Sequence, residues 1–332
     1  MFEPTSRQCI VFILVCLVVL GFFLRAYHFS DWLHFELDQA RDARVVDDGL
    51  RGDVFDLPLL GPRGGGTYFR LAPGFYYLEY FGALVFGSDP AGQATIVLLL
   101  SVLALPLFFV FMRRFFDPAL ALGVTALFSV SVFLVVYGRF AWNPNSLPFF
   151  FLLGAYALLR SVDRSEIRRG KWFLVAVFVF TFSTHLHSLA LVGAPLIAGG
   201  FLLLKRPKFS WRVWVAAAGI VGVLYLPFAL NEWETGGRNS QEFFRALSGK
   251  AGKGDHSLFD KGIKNTFEQA LGFGLLLSGY ERAELPKVTL RPLAIVCDEK
   301  CDRHKAAGAI WFVLYGLGFL MFVYRLVREA PG

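Results

Sequence analysis

Nine apolar segments separated by short polar connections constrain the fold of this chain more than any other feature. They lie at about residues 9–26, 73–87, 94–112, 119–137, 146–160, 172–188, 189–204, 213–230 and 307–324. A helix needs about 20 mostly apolar residues to cross a bilayer, and most of these segments approach that length. The sequence is 55% hydrophobic, whereas soluble domains are about 45–50% apolar even with glycine counted. We therefore predict an all-α polytopic membrane protein.

Basic residues gather in four connections, and their placement predicts the topology. Lys and Arg favour cytoplasmic loops, and two apolar segments lie between each consecutive pair of these clusters. The short, Tyr-rich segment 73–87 contains Glu79, so we place it at the membrane interface rather than across it. About eight spans remain. The basic clusters lie at 113–114, 160–171, 205–212 and 325–328, and the predicted outer regions are 27–93, 138–145, about 186–190 and 231–306.

The same basic clusters account for the net charge of +7. Because the basic residues lie in short clusters between apolar segments, they do not indicate a nucleic-acid partner. Cys297 and Cys301 fall in the predicted outer loop, where an oxidising environment would allow them to form a local disulfide.

A charged run follows the first apolar segment, at residues 36–42. Within it, Asp38, Arg41 and Asp42 have the i, i+3, i+4 spacing of one helix face. Partial desolvation beside a membrane makes a carboxylate more basic, so a carboxylate of this run is a candidate general base. The alternative is a solvated amphipathic helix with internal ion pairs.

Four arginines on the predicted outer face are candidate ligands for a phosphate: Arg41, Arg63, Arg70 and Arg139. Arg63 belongs to the glycine-rich run 58–66, whose backbone N–H groups suit an anion; the alternative is a flexible turn. Arg70 adjoins the Tyr-rich segment, where a lipid phosphate is within reach. Arg139 is a permanent charge at the membrane boundary, a functional hypothesis by default.

Three further polar residues lie at outer ends of apolar segments. Asn143 precedes a span, where helix capping is the alternative role. His185 and His187 are two residues apart, so on a helix they diverge and do not form one metal site; we expect one of the two to face a polar cavity. Glu232 follows the seventh predicted span. We predict no metal-binding residues and no cofactor, and the sequence leaves a divalent cation open.

Three short motifs in a fixed order carry a family resemblance. They are Asp38-Gln39-Ala40-Arg41-Asp42, Pro73-Gly74-Phe75-Tyr76-Tyr77, and the Arg139 to Asn143 spacing. Over residues 5–230 this pattern resembles membrane glycosyltransferases of the GT-C class, in particular bacterial relatives of the protein O-mannosyltransferases and of the lipid A aminoarabinose transferases. Gln39 stands where the family usually has Glu, and Asn143 where many relatives have Asp. The family also usually has more spans.

The resemblance implies a GT-C-like bundle that uses a polyprenyl-phosphate-linked sugar as donor and a hydroxyl of a protein, lipid or glycan as acceptor. Asp38 is then the base, and the four arginines hold the donor phosphate. Tyr76, Tyr77 and the residues Asp42, Asn143, His187 and Glu232 contact substrate or membrane lipid. The expected location is the outer face of a bacterial or archaeal plasma membrane.

The expected organisation is a catalytic membrane module at 1–230, an outer loop region at 231–306, and a last span with a cytoplasmic tail at 307–332. Two rival functions stay open: a transporter or flippase of lipid-linked sugars, and a non-catalytic or truncated family member. Transporters tend to place charges near the middle of the membrane, often with internal repeats. This chain places them at the ends of spans, which favours chemistry at the interface. The sugar, the acceptor and metal dependence are left open.

Overall fold

The structure, a computed structural model, describes residues 7–251, 258–278, 287–290, 293–296, 310, 313–318 and 320. These residues are mainly helical. The helices are α1 Arg7–Ala26, α2 Leu37–Arg51, α3 Gly74–Phe86, α4 Pro90–Met112, α5 Pro118–Val130, α6 Val132–Tyr137, α7 Leu147–Val162, α8 Arg169–Leu186, α9 Ser188–Lys205, α10 Trp211–Thr235, α11 Arg238–Ala251 and α12 Leu258–Ser278, with 3-10 turns at Val54–Asp56 and Asn143–Ser146.

Five of the described helical segments are long and apolar enough to cross a membrane. They are Arg7–Ala26, Pro90–Met112, Asn143–Val162, Ser188–Lys205 and Trp211–Thr235. The helical class of the prediction is therefore confirmed, and the apolar helices are compatible with a multi-pass membrane protein. α8 has 18 residues but begins at Arg169 and ends in a polar stretch. The predicted last span at 307–324 lies largely outside the described residues, as do Cys297 and Cys301.

Two predicted segments take a different form from a single span. The segment predicted as one span over 119–137 is divided into α5 and α6, with a break at Ser131 between two valines, residue types of modest helix propensity. The interfacial segment 73–87 is α3, a helix of 13 residues. At about 1.5 Å per residue, α3 is too short for a bilayer crossing.

The chain divides into two compact units. The first comprises residues up to Ser129 together with Val135–Ala251, so that residues 231–251 pack with the helices that precede them. The second comprises Val130–Leu134 and residues from Gly252 onward. It includes α12 and the only described strands, β1 (Lys287–Leu290) and β2 (Leu293–Val296), which pair antiparallel with Lys287 opposite Val296.

The first unit has a core in which α7 and α8 pack closely, with α4, α9 and α10 beside them. Phe75, Val97 and Leu186 are among its buried side chains. Helices in lipid associate by close packing rather than by the hydrophobic effect, and Gly154 shows this. A Cβ at that position would lie 3.0 Å from the ring of Phe180, so any larger residue would require the ring to shift, and glycine favours the close approach of α7 and α8.

A fully buried arginine anchors α1 to this core. The Arg25 Nε donates to Ser101 Oγ at 2.8 Å, and its Nη1 donates to the carbonyls of Gly21 and Ser129. These bonds connect α1 to α4 and to α5. The end of α1, where the first loop begins, is held in place by this attachment.

Candidate functional site

The helix that carries the acidic motif begins with a side-chain cap. The Glu36 N–H, at the helix start, donates to Gln39 Oε1 at 3.0 Å. Glutamine at the third helical position caps as glutamate does. Gln39 therefore has a structural role at the start of α2, where its side chain is buried.

Arg41 forms ion pairs with both acidic residues of the motif. Its Nη1 lies 2.8 Å from Asp38 Oδ1, and its Nε lies 2.7 Å from Asp42 Oδ1. The Asp38 side chain is 55% exposed and that of Asp42 is 0% exposed. The three residues share one face, as their spacing predicts, but that face extends from solvent into the interior.

The pKa values of Arg41 and Asp42 are both raised, but for different reasons. Burial alone would lower the pKa of Arg41, but the hydrogen bond and charge of Asp42 outweigh it and raise that pKa above its ordinary range. Burial raises the pKa of Asp42 even though Arg41 opposes the change. Arg41 is therefore a permanent cation, held in place by a carboxylate that has few other partners.

The glycine-rich run continues into a small hairpin. Gly64 N–H donates to the Phe69 carbonyl at 2.8 Å, and Leu71 N–H donates to that of Pro62 at 3.0 Å. Gly65 and Gly66 have positive φ angles of 48° and 72° at its tip, a conformation that favours glycine. The predicted loop is therefore an ordered turn.

Asn143 and His187 are brought together by a bond between two chain connections. Asn143 Nδ2 donates to the Leu186 carbonyl at the end of α8. His187 follows at once, and its Nδ1 accepts the Leu189 N–H at 3.2 Å, which caps the start of α9. Asn143 is buried, so its amide fixes the position of the α8–α9 connection.

These segments enclose one polar cavity of about 490 Å³. It collects five of the predicted site residues from four separate parts of the chain: Asp38, Arg41, Arg63, Asn143 and His187. The sequence prediction did not include Thr67, Tyr68 and Trp142, which also line it. Two of them are aromatic residues close in sequence to predicted site residues, and that is the pattern by which they could have been found. The Tyr68 ring lies under the Arg63 guanidinium, 5.5 Å away, and Trp142 directly precedes Asn143.

Arg70 and Glu232 lie outside the lining and stabilise the hairpin. Arg70 Nε donates to the Gly61 carbonyl, and the Arg70 backbone pairs on both sides with the Asn239 amide, at 2.8 and 2.9 Å. Glu232 accepts N–H bonds from Asn239 and Ser240 at the start of α11. Arg70 was predicted to bind phosphate and Glu232 to bind substrate. In the structure Arg70 bonds to Gly61 and Asn239, and Glu232 bonds to the backbone at the start of α11.

Arg139 also lies outside the lining. Its guanidinium donates to the carbonyls of Leu24, Tyr27 and His28, at 3.0, 2.7 and 3.1 Å. Carbonyls at the end of a helix have no intrahelical partner, so Arg139 completes the end of α1. The structure gives no support to a phosphate-binding role for it.

A buried polar layer lies beneath the cavity. Tyr76 and Glu79 of α3 are buried there with Asp42, and Gln93 of α4 donates to the Ser88 carbonyl at 2.9 Å. Burial, helped by the charge of Asp42, raises the pKa of Glu79 well above its ordinary value, and burial raises that of Tyr76 to about 12. Glu79, Gln39 and Gln93 surround a void of about 10 Å³, close to the size of one water. Tyr77, by contrast, is only half-buried.

Within the described ranges, no three His, Cys, Asp or Glu side chains converge as a metal site would need. Asp38 and Asp42 are both paired with Arg41. A second cavity, of about 310 Å³, lies among apolar side chains of α8, α9 and α10, with Thr184 and Tyr225 in its wall. Their hydroxyl oxygens are 2.6 Å apart.

Comparison of the chain with protein-family models, with curated proteins and with solved structures finds no match. Only the geometry of this chain therefore supports a functional interpretation of the cavity.

Proposed function

We propose that this protein is a membrane glycosyltransferase of the GT-C type, which moves a sugar from a polyprenyl-phosphate donor to an acceptor hydroxyl. The observation that carries the proposal is the convergence of Asp38, Arg41, Arg63, Asn143 and His187 on one cavity. Sugar transfer from a lipid phosphate needs a base, a cation for the leaving phosphate and hydrogen-bonding groups for hydroxyls. This cavity contains all three.

In the proposed step, Asp38 accepts the proton of the acceptor hydroxyl. The acceptor oxygen attacks the anomeric carbon, and the bond from that carbon to the phosphate oxygen breaks with its electron pair. Inversion at the carbon follows from attack opposite the leaving group. Arg41 holds one Asp38 oxygen at 2.8 Å, so the carboxylate is oriented while its second oxygen stays outside that ion pair.

Arg63 is the proposed phosphate ligand. It is exposed in the cavity wall, with its guanidinium over Tyr68 rather than in a salt bridge among the described residues. A free guanidinium matches the two-oxygen geometry of a phosphate. Arg139 and Arg70, which form backbone hydrogen bonds, leave this role to Arg63 and Arg41.

The membrane placement belongs to the same proposal. We place the cavity on the outer face of a bacterial or archaeal plasma membrane, in a bundle of about eight spans, following the basic clusters of the connections. The apolar cavity among α8, α9 and α10 has the chemistry that a prenyl chain needs. A donor with a lipid chain is compatible with this apolar cavity.

Asp38→Asn tests the proposal. Asparagine keeps a hydrogen bond to Arg41 but does not accept the proton, so transfer should fall about 10²- to 10⁴-fold. The measurement is release of polyprenyl phosphate from a radiolabelled lipid-linked sugar by purified protein, with a panel of sugars. Asp47→Asn is the control, because Asp47 lies on the same helix, pairs with Arg51 and does not line the cavity.

Full activity in Asp38→Asn would refute Asp38 as the base. If the wild-type protein carries lipid-linked sugar across vesicles and releases no polyprenyl phosphate, the protein is a transporter. If neither activity appears for any donor of the panel, the non-catalytic reading is favoured.

A further inference from the structure

The ring of His187 is held at one nitrogen by the backbone. Its Nδ1 accepts the N–H of Leu189, at 3.2 Å, in the first turn of α9. An imidazole nitrogen that accepts a hydrogen bond carries no proton, and in a neutral ring the proton is then on the other nitrogen. The cap of α9 therefore selects the tautomer with the proton on Nε2.

The same ring lies in the wall of the polar cavity, with Asp38, Arg41 and Arg63. Among the described residues, Nε2 has no hydrogen-bond partner in the chain. His185, two residues earlier, is buried against Phe182 and Tyr225 and does not line this cavity. The two histidines therefore have different surroundings, and of the two only His187 lines the polar cavity.

We infer that His187 is a neutral hydrogen-bond donor whose Nε2–H binds an anionic oxygen in the cavity. The ligand half of the inference rests on the proposed function, in which that oxygen belongs to the donor phosphate. His187 then acts beside Arg63 on the leaving group. It donates a hydrogen bond without transferring a proton.

The surroundings of the ring favour the neutral form. A second proton would go to Nδ1 and would break the cap to Leu189, and burial independently lowers the pKa of His187. Arg41 and Arg63 oppose a further positive charge in the cavity, and Asp38 favours one but is already paired with Arg41. A neutral imidazole is a useful donor to a developing anion because it needs no change of charge.

The tautomer is measured directly by NMR of the full-length protein in detergent, with ¹⁵N-labelled histidine. The chain has six histidines, so the His187 signal is the one that is absent in His187→Asn; it should show a protonated Nε2 and an unprotonated Nδ1, unchanged between pH 8 and pH 6. A doubly protonated ring at pH 7, or a proton on Nδ1, overturns the inference. This readout does not depend on any donor.

The ligand is tested with farnesyl phosphate, a short prenyl phosphate. Asparagine is a good helix cap, so His187→Asn keeps the bond to α9 but is too short to donate from the Nε2 position. We expect binding about ten- to hundredfold weaker, the loss of one hydrogen bond to a charged group. His187→Ser, a second capping variant, should behave in the same way.

His28→Asn is the matched control. His28 is exposed, bonds Asp31 and has a positive φ of 48°, which asparagine tolerates. It should bind farnesyl phosphate as the wild type does. Equal affinity in His187→Asn and wild type overturns the phosphate contact. A wild-type protein that binds no farnesyl phosphate overturns the ligand half together with the proposed function, whereas the tautomer is decided by the NMR spectrum alone.

Discussion

Asp38 and Asp42 lie one helical turn apart and both bind Arg41, yet they belong to two different regions. Asp38 is in the cavity wall, where its side chain is 55% exposed; Asp42 is in the buried polar layer, where it is 0% exposed. A carboxylate in the wall is accessible to a substrate. A carboxylate in the layer is accessible only to its neighbours, and its work is to hold Arg41. One helix face is thus open to solvent at one end and buried in the protein at the other.

The comparison predicts that changes in the wall affect activity, whereas changes in the layer affect folding. Asp38→Asn should therefore leave the unfolding temperature nearly unchanged, despite its loss of activity. Four further variants test this division, and they are ordered from the largest expected effect to the smallest.

Arg41→Gln should be the most damaging because Arg41 belongs to both regions. Removing it leaves Asp42 buried without its partner, which costs about 3 kcal/mol, the low end of the range for broken buried pairs, since Arg41 is partly exposed. The measurement is the free energy of unfolding in detergent. Arg41→Gln with Asp42→Asn should recover most of the loss, because no buried charge then remains.

Arg51→Gln is the control for this variant. Arg51 pairs with Asp47 at the surface of the same helix, and such pairs contribute about 0–1 kcal/mol. If Arg51→Gln costs as much as Arg41→Gln, burial of Asp42 does not explain the loss.

Arg63→Gln and Arg139→Gln compare two arginines that sequence reasoning treated alike. Arg63→Gln should weaken donor binding about ten- to hundredfold with little effect on stability, since it removes one charged hydrogen-bonding group from the wall. Arg139→Gln should lower stability by about 2 kcal/mol, because carbonyls at the end of α1 lose their donor, and should leave KM unchanged. The measurements are the initial rate as a function of donor concentration and the thermal unfolding of each variant. The reverse pattern would assign the phosphate to Arg139.

Glu79→Gln should have the smallest effect, visible as a change with pH. The pKa of Glu79 is raised in the folded protein above its ordinary value of 4.5, so the fold favours the protonated form. The wild type is therefore stabilised by this group at low pH and loses that stability as pH rises from about 4.5 toward the folded pKa. Each tenfold difference in proton affinity corresponds to about 1.4 kcal/mol.

Because Gln does not ionise, the unfolding temperature of Glu79→Gln should rise relative to the wild type between pH 5 and pH 8. Glu234→Gln, at an exposed position, should follow the wild type throughout. Parallel curves for Glu79→Gln and wild type would show that Glu79 is ionised in the fold.

Local features of this protein were predictable from sequence, because they depend on near neighbours. The spacing of Asp38, Arg41 and Asp42 predicted one helix face, and the length and polarity of segment 73–87 predicted a helix that does not span. The glycines at 64–66 predicted a turn. In each case the cause lies within a few residues, where periodicity and backbone preference decide.

Features that depend on distant packing were not predictable in this way. His187 lines the same cavity as Asp38, and Asn143 holds the carbonyl of the preceding residue, Leu186, by a contact across 43 residues. Arg139 carries the charge that a phosphate site needs, but the carbonyls at the end of α1, more than 100 residues away, take its donors. The sequence identified Glu79 as an awkward residue for a span, without showing that α2 and α4 surround it.

The pair of hydrogen bonds between the Arg70 backbone and the Asn239 amide has a consequence for the order in which the protein is made. The hairpin that carries Arg63 is synthesised early, but its backbone partner Asn239 follows 169 residues later. Until α10 has formed and Glu232 has started α11, that wall of the cavity lacks its support. We therefore expect the wall that carries Arg63 to become ordered only late in synthesis, once Asn239 has been added to the chain.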